Sequence, residues 1–224
     1  MRRAMMLKLL SLATLLAAAA VPAHAQSVQP WPDVLVTKPV GDGWIASVEL
    51  VGRASGDERL SQFESRLQVG HTLGRSLTAW AGWVHFANFV PGAPNTSEDQ
   101  AVEQLNWAIG SIGRVRVATR TRLEQRFLSN LPGTNWRYRQ QLRVVYATGG
   151  AKAAGLVLWS EPFLALNRTP GQRHTLDQLR SFAGVTVPVS RALDIEVGYL
   201  NQRVYRANDT LVNHAIPLVL TYRF

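Results

Sequence analysis

Past residue 43 the chain alternates apolar and polar positions with the two-residue period of a strand, in segments bounded by Gly, Pro, Asn and Ser. The segments fall at 43–54, 60–73, 77–89, 102–112, 114–127, 135–147, 154–164, 175–187, 191–204 and 212–224. A further segment, 31–39, precedes a Gly41-Asp42-Gly43 turn. Connections alternate as well: short ones at Gly74-Arg75-Ser76, Ile112-Gly113, "GGAKAA" and Pro188–Ser190 stand between longer polar ones such as "SGDER", "VPGAPNTSEDQA", "SNLPGTN", "NRTPGQRH" and "RANDTL". This rhythm predicts an all-β fold, an antiparallel up-and-down transmembrane β-barrel of about 10 to 12 strands. Single-chain bacterial barrels carry an even number, so ten or twelve is expected, and an odd count that adds 31–39 alone requires a parallel closure.

The stretch "RVRVATRTRLEQR", residues 114–126, tests the strand reading. On a helix its arginines scatter over about two-thirds of the circumference. On a strand Arg114, Arg116, Arg120, Arg122, Glu124 and Arg126 share one face with Ala118, and Val115, Val117, Thr119, Thr121 and Leu123 share the other. An arginine facing lipid costs about 2–4 kcal/mol near the bilayer midplane, so the charged face is expected to look into the lumen. The next segment, "NWRYRQQLRVVY", repeats the pattern with Arg137, Arg139, Gln141 and Arg143. By the same parity Glu49, Glu64, Glu161, Asp194 and Glu196 are expected inside, as are Arg53, Arg66, Gln68, Gln104, Asn106, Gln178, Arg180 and Gln202. Two lumens satisfy this set: a cross-lumen Arg/Glu network that fills a narrow barrel, or a water-filled, net-positive pore for small anions.

The two ends of the chain suggest where such a barrel goes. Residues 1–25 read as a secretory signal peptide: Arg2, Arg3 and Lys8, then an apolar run, then Ala23-His24-Ala25 before the expected cleavage site. Residues 26–224 are then the barrel domain. The last segment, "NHAIPLVLTYRF", carries Ile216, Leu218, Leu220, Tyr222 and Phe224 on one face, and Tyr222 with Phe224 fits the C-terminal signal read by the barrel assembly machinery. Trp44, Phe89, Phe127, Trp136, Tyr146, Phe163, Tyr222 and Phe224 lie near segment ends, as interfacial girdles require, whereas Trp80, Trp83, Trp107 and Trp159 lie mid-segment. The expected location is the outer membrane of a Gram-negative bacterium, with outer-membrane lipid as surroundings.

Composition narrows the function. The sequence carries 24 Lys+Arg and 15 Asp+Glu; the signal segment holds three of the former and none of the latter, so the remaining net charge is +6. Export and the lack of stacking aromatics among the arginines argue against nucleic acid. With no cysteine there is no disulfide, and no motif implies a metal or cofactor. His71, His85, His174 and His214 are scattered, which leaves an enzyme acting on outer-leaflet lipid as the alternative function, with no catalytic residues assigned. The segments "RTRLEQRF", "WRYRQQLR", "DQLRSFAGVTVP", "LDIEVGYLNQR" and "NHAIPLVLTYRF" resemble the outer-membrane barrel family catalogued as domain of unknown function 2490. The resemblance spans nearly the whole mature chain; it implies the barrel and its membrane but no activity and no site residues.

Overall fold

The computed structural model describes residues 28–54, 59–150, 153–169, 172, 175–206 and 209–224. The expected signal segment and His174 lie outside them. Eleven strands follow one another: β1 (Gln29–Gly41), β2 (Trp44–Ala54), β3 (Leu60–Thr72), β4 (Leu77–Asn88), β5 (Thr96–Ile112), β6 (Val115–Leu128), β7 (Thr134–Ala147), β8 (Gly155–Ala165), β9 (Leu176–Pro188), β10 (Leu193–Tyr205) and β11 (Thr210–Arg223). Each pairs antiparallel with the next, and β1 pairs with β11 to close the barrel.

Side chains alternate across this wall with the apolar set outside. Leu67 is 61% exposed, Val69 50%, Leu142 51%, Leu156 52% and Ile216 48%, while Arg122 and Glu124 are 1% and 0% exposed inside. A soluble barrel has these faces exchanged, and so large a continuous apolar exterior is unlike that of soluble monomers. The short connections gather at one end, which we call the turn end; β11 also finishes there, where the Phe224 amide donates to the Thr37 carbonyl at 3.1 Å. The longer connections gather at the opposite, loop end.

Three features differ from the sequence reading. The strand count is odd. An up-and-down chain of eleven strands returns its last strand in the direction of its first, so β1 and β11 pair in parallel, Gln29 opposite Ala215 through Thr37 opposite Arg223. The expected even number is therefore corrected, and the segment 31–39 supplies the closing strand. Next, β5 begins at Thr96 rather than residue 102 and runs for 17 residues. Glu98 and Gln100 point inward and Ser97 and Asp99 outward, so this extension is polar on both faces and its alternation cannot be read from hydrophobicity. Finally, Phe163 is no girdle residue: it is 1% exposed and faces the lumen.

Prolines and glycines mark where the wall departs from an even ladder. The β7–β8 pairing is interrupted between Arg139–Phe163 and Leu142–Ser160, at Pro162. The β10–β11 pairing is interrupted between Val197–Leu218 and Leu200–Ala215, at Pro217. Neither proline has an amide hydrogen to give. Gly184 and Gly198 face each other across β9 and β10, and the Phe182 ring lies against both. A Cβ at Gly198 would stand 2.6 Å from the Phe182 ring and 2.4 Å from the Ala183 carbonyl oxygen. Gly70 likewise carries the Trp80 ring, 2.5 Å from where its Cβ would be. Two of the mid-segment tryptophans are thus internal: Trp80 on Gly70, and Trp159 stacked on Phe182 at 5.3 Å. Trp83 stacks on Phe127 outside, at 6.1 Å.

Two outcomes are expected. The folded barrel migrates faster on a gel before boiling than after it, and a single boiled-like band from unheated protein would contradict the closed wall. Gly198→Val destabilises by about 1–3 kcal/mol in urea unfolding, because Phe182 and a backbone carbonyl must both move; a midpoint equal to that of the parent chain would show that the notch is not packed.

Candidate functional site in the barrel lumen

The strand register decides which charges meet inside. Against β7, β6 sets Arg126 opposite Asn135, Glu124 opposite Arg137, Arg122 opposite Arg139, Arg120 opposite Gln141 and Ala118 opposite Arg143. Glu124 is the tooth of the basic comb that is acidic, and it collects Arg137 at 2.6 Å, Arg139 at 2.8 Å and Arg122 at 3.8 Å. Glu161 on β8 takes Arg139 at 2.9 Å and Arg120 at 3.0 Å. Arg122 also donates from Nε to the Gln104 side-chain carbonyl at 2.8 Å. On the opposite wall Arg66 pairs with Glu49 and Glu64, and Arg53 reaches Glu64 at 2.7 Å. Near the loop end Arg126 forks onto Glu98 at 2.6 and 2.8 Å. Nearer the turn end Arg143 crosses from β7 to Glu196 on β10, with Nη1 to Oε1 at 3.0 Å.

Aromatic rings join the two acidic groups into a septum. Arg53 lies 4.9 Å from the Trp31 ring, and Arg180 lies 5.5 Å from the same ring. Arg180 then meets the Phe163 ring at 4.9 Å, and Arg139 meets it at 4.0 Å. Stacked guanidinium contacts of this kind are worth about 0.5–2 kcal/mol each, more where water is excluded. A run of side chains therefore crosses the lumen from Glu64 through Arg53, Trp31, Arg180, Phe163 and Arg139 to Glu124. Arg180 is the member without a carboxylate. Its direct cross-strand neighbour is Glu161, which is held by Arg139 and Arg120, and Arg180 Nε instead faces the Gln178 side-chain amide at 2.6 Å.

Cavities lie on both sides of this septum. The one toward the turn end has a volume of about 810 Å³ and the one toward the loop end about 370 Å³. Their linings share six residues, Trp31, Arg53, Glu64, Arg66, Arg139 and Arg180. Together the two linings hold twelve arginines against seven carboxylates. The excess is wholly guanidinium: Lys38, the only lysine among the described residues, is exposed beside Phe224 on the turn-end rim. A planar fork keeps its charge and bonds two oxygens at once, which suits a crowded low-dielectric interior.

Most residues singled out from the sequence lie in or beside these cavities. Glu49, Glu64, Arg66, Arg116, Arg120, Arg122, Arg139, Gln141, Arg143, Glu161, Arg180 and Glu196 line the turn-end cavity, and Arg126 and Arg137 line the loop-end one. Glu124 is sealed beneath its arginines. Arg114 is corrected: it belongs to the turn before β6, is exposed, and donates to the Thr148 carbonyl at 3.2 Å instead of entering the lumen. Tyr222 and Phe224 are 40% and 67% exposed on the outside, their rings 5.0 Å apart. Sequence reasoning missed Trp31, Asp33, Glu98, Arg75 and Arg223 in the linings. Extending the parity rule through 31–39 would have found the first two. Arg75 enters from the β3–β4 turn, where parity says nothing.

Histidines occupy other places. His85 meets Asp99 at 2.9 Å on the outer wall, His214 bonds the Tyr199 hydroxyl there, and His71 contacts the Asp42 carbonyl at the turn end, 3.2 Å away. Ser160 and Ser181 lie 3.4 Å apart on the outer wall, with neither bonded to a histidine among the described residues.

A family model described as protein of unknown function (DUF2490) matches residues 28–213. An uncharacterized protein of Methylorubrum extorquens is 31% identical over 207 residues, covering 89% of each chain. A structure of the NanC porin superposes with a TM-score of 0.53 over 88% of this chain and 98% of the porin, at 10% identity. That likeness is one of fold.

Removing a single carboxylate tests the network. Glu124→Gln leaves Arg137 and Arg139 without their shared partner, and a loss of about 3–5 kcal/mol in unfolding free energy is expected. A loss below about 1 kcal/mol, typical of exposed pairs, would mean that water already bathes this carboxylate.

Proposed function

The chain belongs to the DUF2490 family, and we propose that it serves as a narrow outer-membrane barrel whose positively lined lumen passes small anions. The observation that carries this reading is the junction of the two cavities, where four of the six shared residues are arginines and Arg180 has no acidic partner. A net positive constriction raises the local concentration of anions and repels cations, the more strongly where its charges are withdrawn from bulk water.

Several features support the membrane part of the reading. The exterior apolar band suits hydrocarbon, the inverse arrangement would set the arginines of β6 against lipid at about 2–4 kcal/mol each, and the amino-terminal segment reads as an export signal. In this orientation the turn end faces the periplasm and the loop end faces outward. One observation favours a second reading, a plugged structural barrel: Arg122, Glu124, Glu161 and Phe163 are each no more than 1% exposed, so the septum is tightly packed along one wall.

Recording from the purified protein in planar bilayers separates the two. Under a potassium chloride gradient, conductance with a reversal potential of chloride sign is expected. Arg180→Glu should weaken or invert that preference, since it reverses the charge at the junction. A folded protein that inserts and stays silent, or conducts with cation preference, would overturn the channel and leave the packed septum as the role of the network.

A further inference from the structure

The basic comb of β6 has a second missing tooth besides Glu124. Ala118 stands between Arg116 and Arg120 on the inward face, opposite Arg143 on β7 and opposite Ala108 on β5. Two adjacent methyl groups therefore floor a hollow in the wall of the turn-end cavity, and the Cβ atoms of Arg116, Arg120 and Arg143 stand around it at about 5–8 Å. Arg75 reaches the same cavity from the β3–β4 turn.

These arginines are unequally satisfied. Arg143 is engaged by Glu196 and Arg120 by Glu161 at 3.0 Å, but Arg120 Nε is buried with no acceptor. Arg116 and Arg75 have no hydrogen-bond or ionic partner among the described residues. Ala118 carries no long side chain, so the cavity is open there beside donors in surplus. Guanidinium forks beside an unfilled hollow suit the several oxygens of a phosphate group, two of which a planar fork bonds in parallel.

We propose that the hollow over Ala118 and Ala108, ringed by Arg116, Arg120 and Arg143, is a binding site for a phosphate group in the turn-end vestibule. The inference rests on the reading of the lumen as an anion path, and adds to it a place where one class of anion pauses. Arg116 supplies the unpaired charge, while Arg120 and Arg143 share themselves with Glu161 and Glu196.

Equilibrium titration of the detergent-folded barrel with inorganic phosphate, read by phosphorus NMR line broadening, tests the site without requiring conduction. Saturable binding is expected for the parent chain. Arg116→Gln removes one fork and Ala118→Leu fills the hollow without altering charge; each should weaken binding at least about tenfold, equivalent to about 1.4 kcal/mol. Methyl phosphate identifies the source: retained affinity points to a phosphoester-bearing solute, lost affinity to the free ion. Equal phosphate binding by all three proteins, or none by the parent, overturns the site. Chloride-selective conduction alongside such a result leaves the channel intact, whereas phosphate binding by a barrel silent in bilayers overturns conduction and retains the site.

Discussion

The placement of guanidinium groups is the constraint from which the rest of the barrel follows. Strand side chains alternate, so a one-residue slip of β6 against either neighbour would turn Arg116, Arg120, Arg122 and Arg126 outward together. At about 2–4 kcal/mol for each arginine exposed to hydrocarbon, such a slip would cost as much as a small protein's whole stability. The register is therefore fixed by penalty as much as by attraction. Once it is fixed, Glu124 necessarily lies opposite Arg137, and Glu161 lies where Arg139 and Arg120 can reach it. The acidic residues are few, and Glu64, Glu124 and Glu161 each serve two or three arginines.

The odd strand number has a direct bearing on the lumen. Without β1 the septum would lack Trp31, the ring between Arg53 on β2 and Arg180 on β9. That ring lets two like charges approach one another across a π face rather than through empty space. The same strand brings Asp33 to the turn-end lining. Closure and septum are thus one feature: the strand that makes the pairing parallel also carries the side chain that joins the two sides of the network.

Much of this was legible in the sequence, for physical reasons that also set the limits. Parity on 114–126 and 135–147 gave the inward set because arginine and β-branched residues could hardly differ more in their tolerance of lipid. It failed at Arg114, which has the right parity but precedes the strand, where alternation has no meaning. It failed at Glu98 and Gln100 because β5 extends past the apolar band, and a strand polar on both faces has no hydrophobic period. Phe163 was misplaced for another reason: aromatic residues serve equally well at an interface and against a guanidinium, so residue type alone could not decide. Pairings across the lumen, such as Arg143 with Glu196 from β7 to β10, depend on barrel curvature, which no local pattern encodes.

The parallel seam also sets the order in which this chain can mature. Every other pairing joins strands adjacent in sequence and can form as each hairpin arrives, but β1 and β11 bring together Gln29 and Ala215 from the two ends of the described chain. Loop closure of that span is paid for only after the intervening strands are in place. Until then β1 and β11 both present unpaired edges, and the half-assembled wall is an open, curling sheet. The meeting of the first strand with the last is accordingly the one pairing in the wall for which no local turn supplies the geometry.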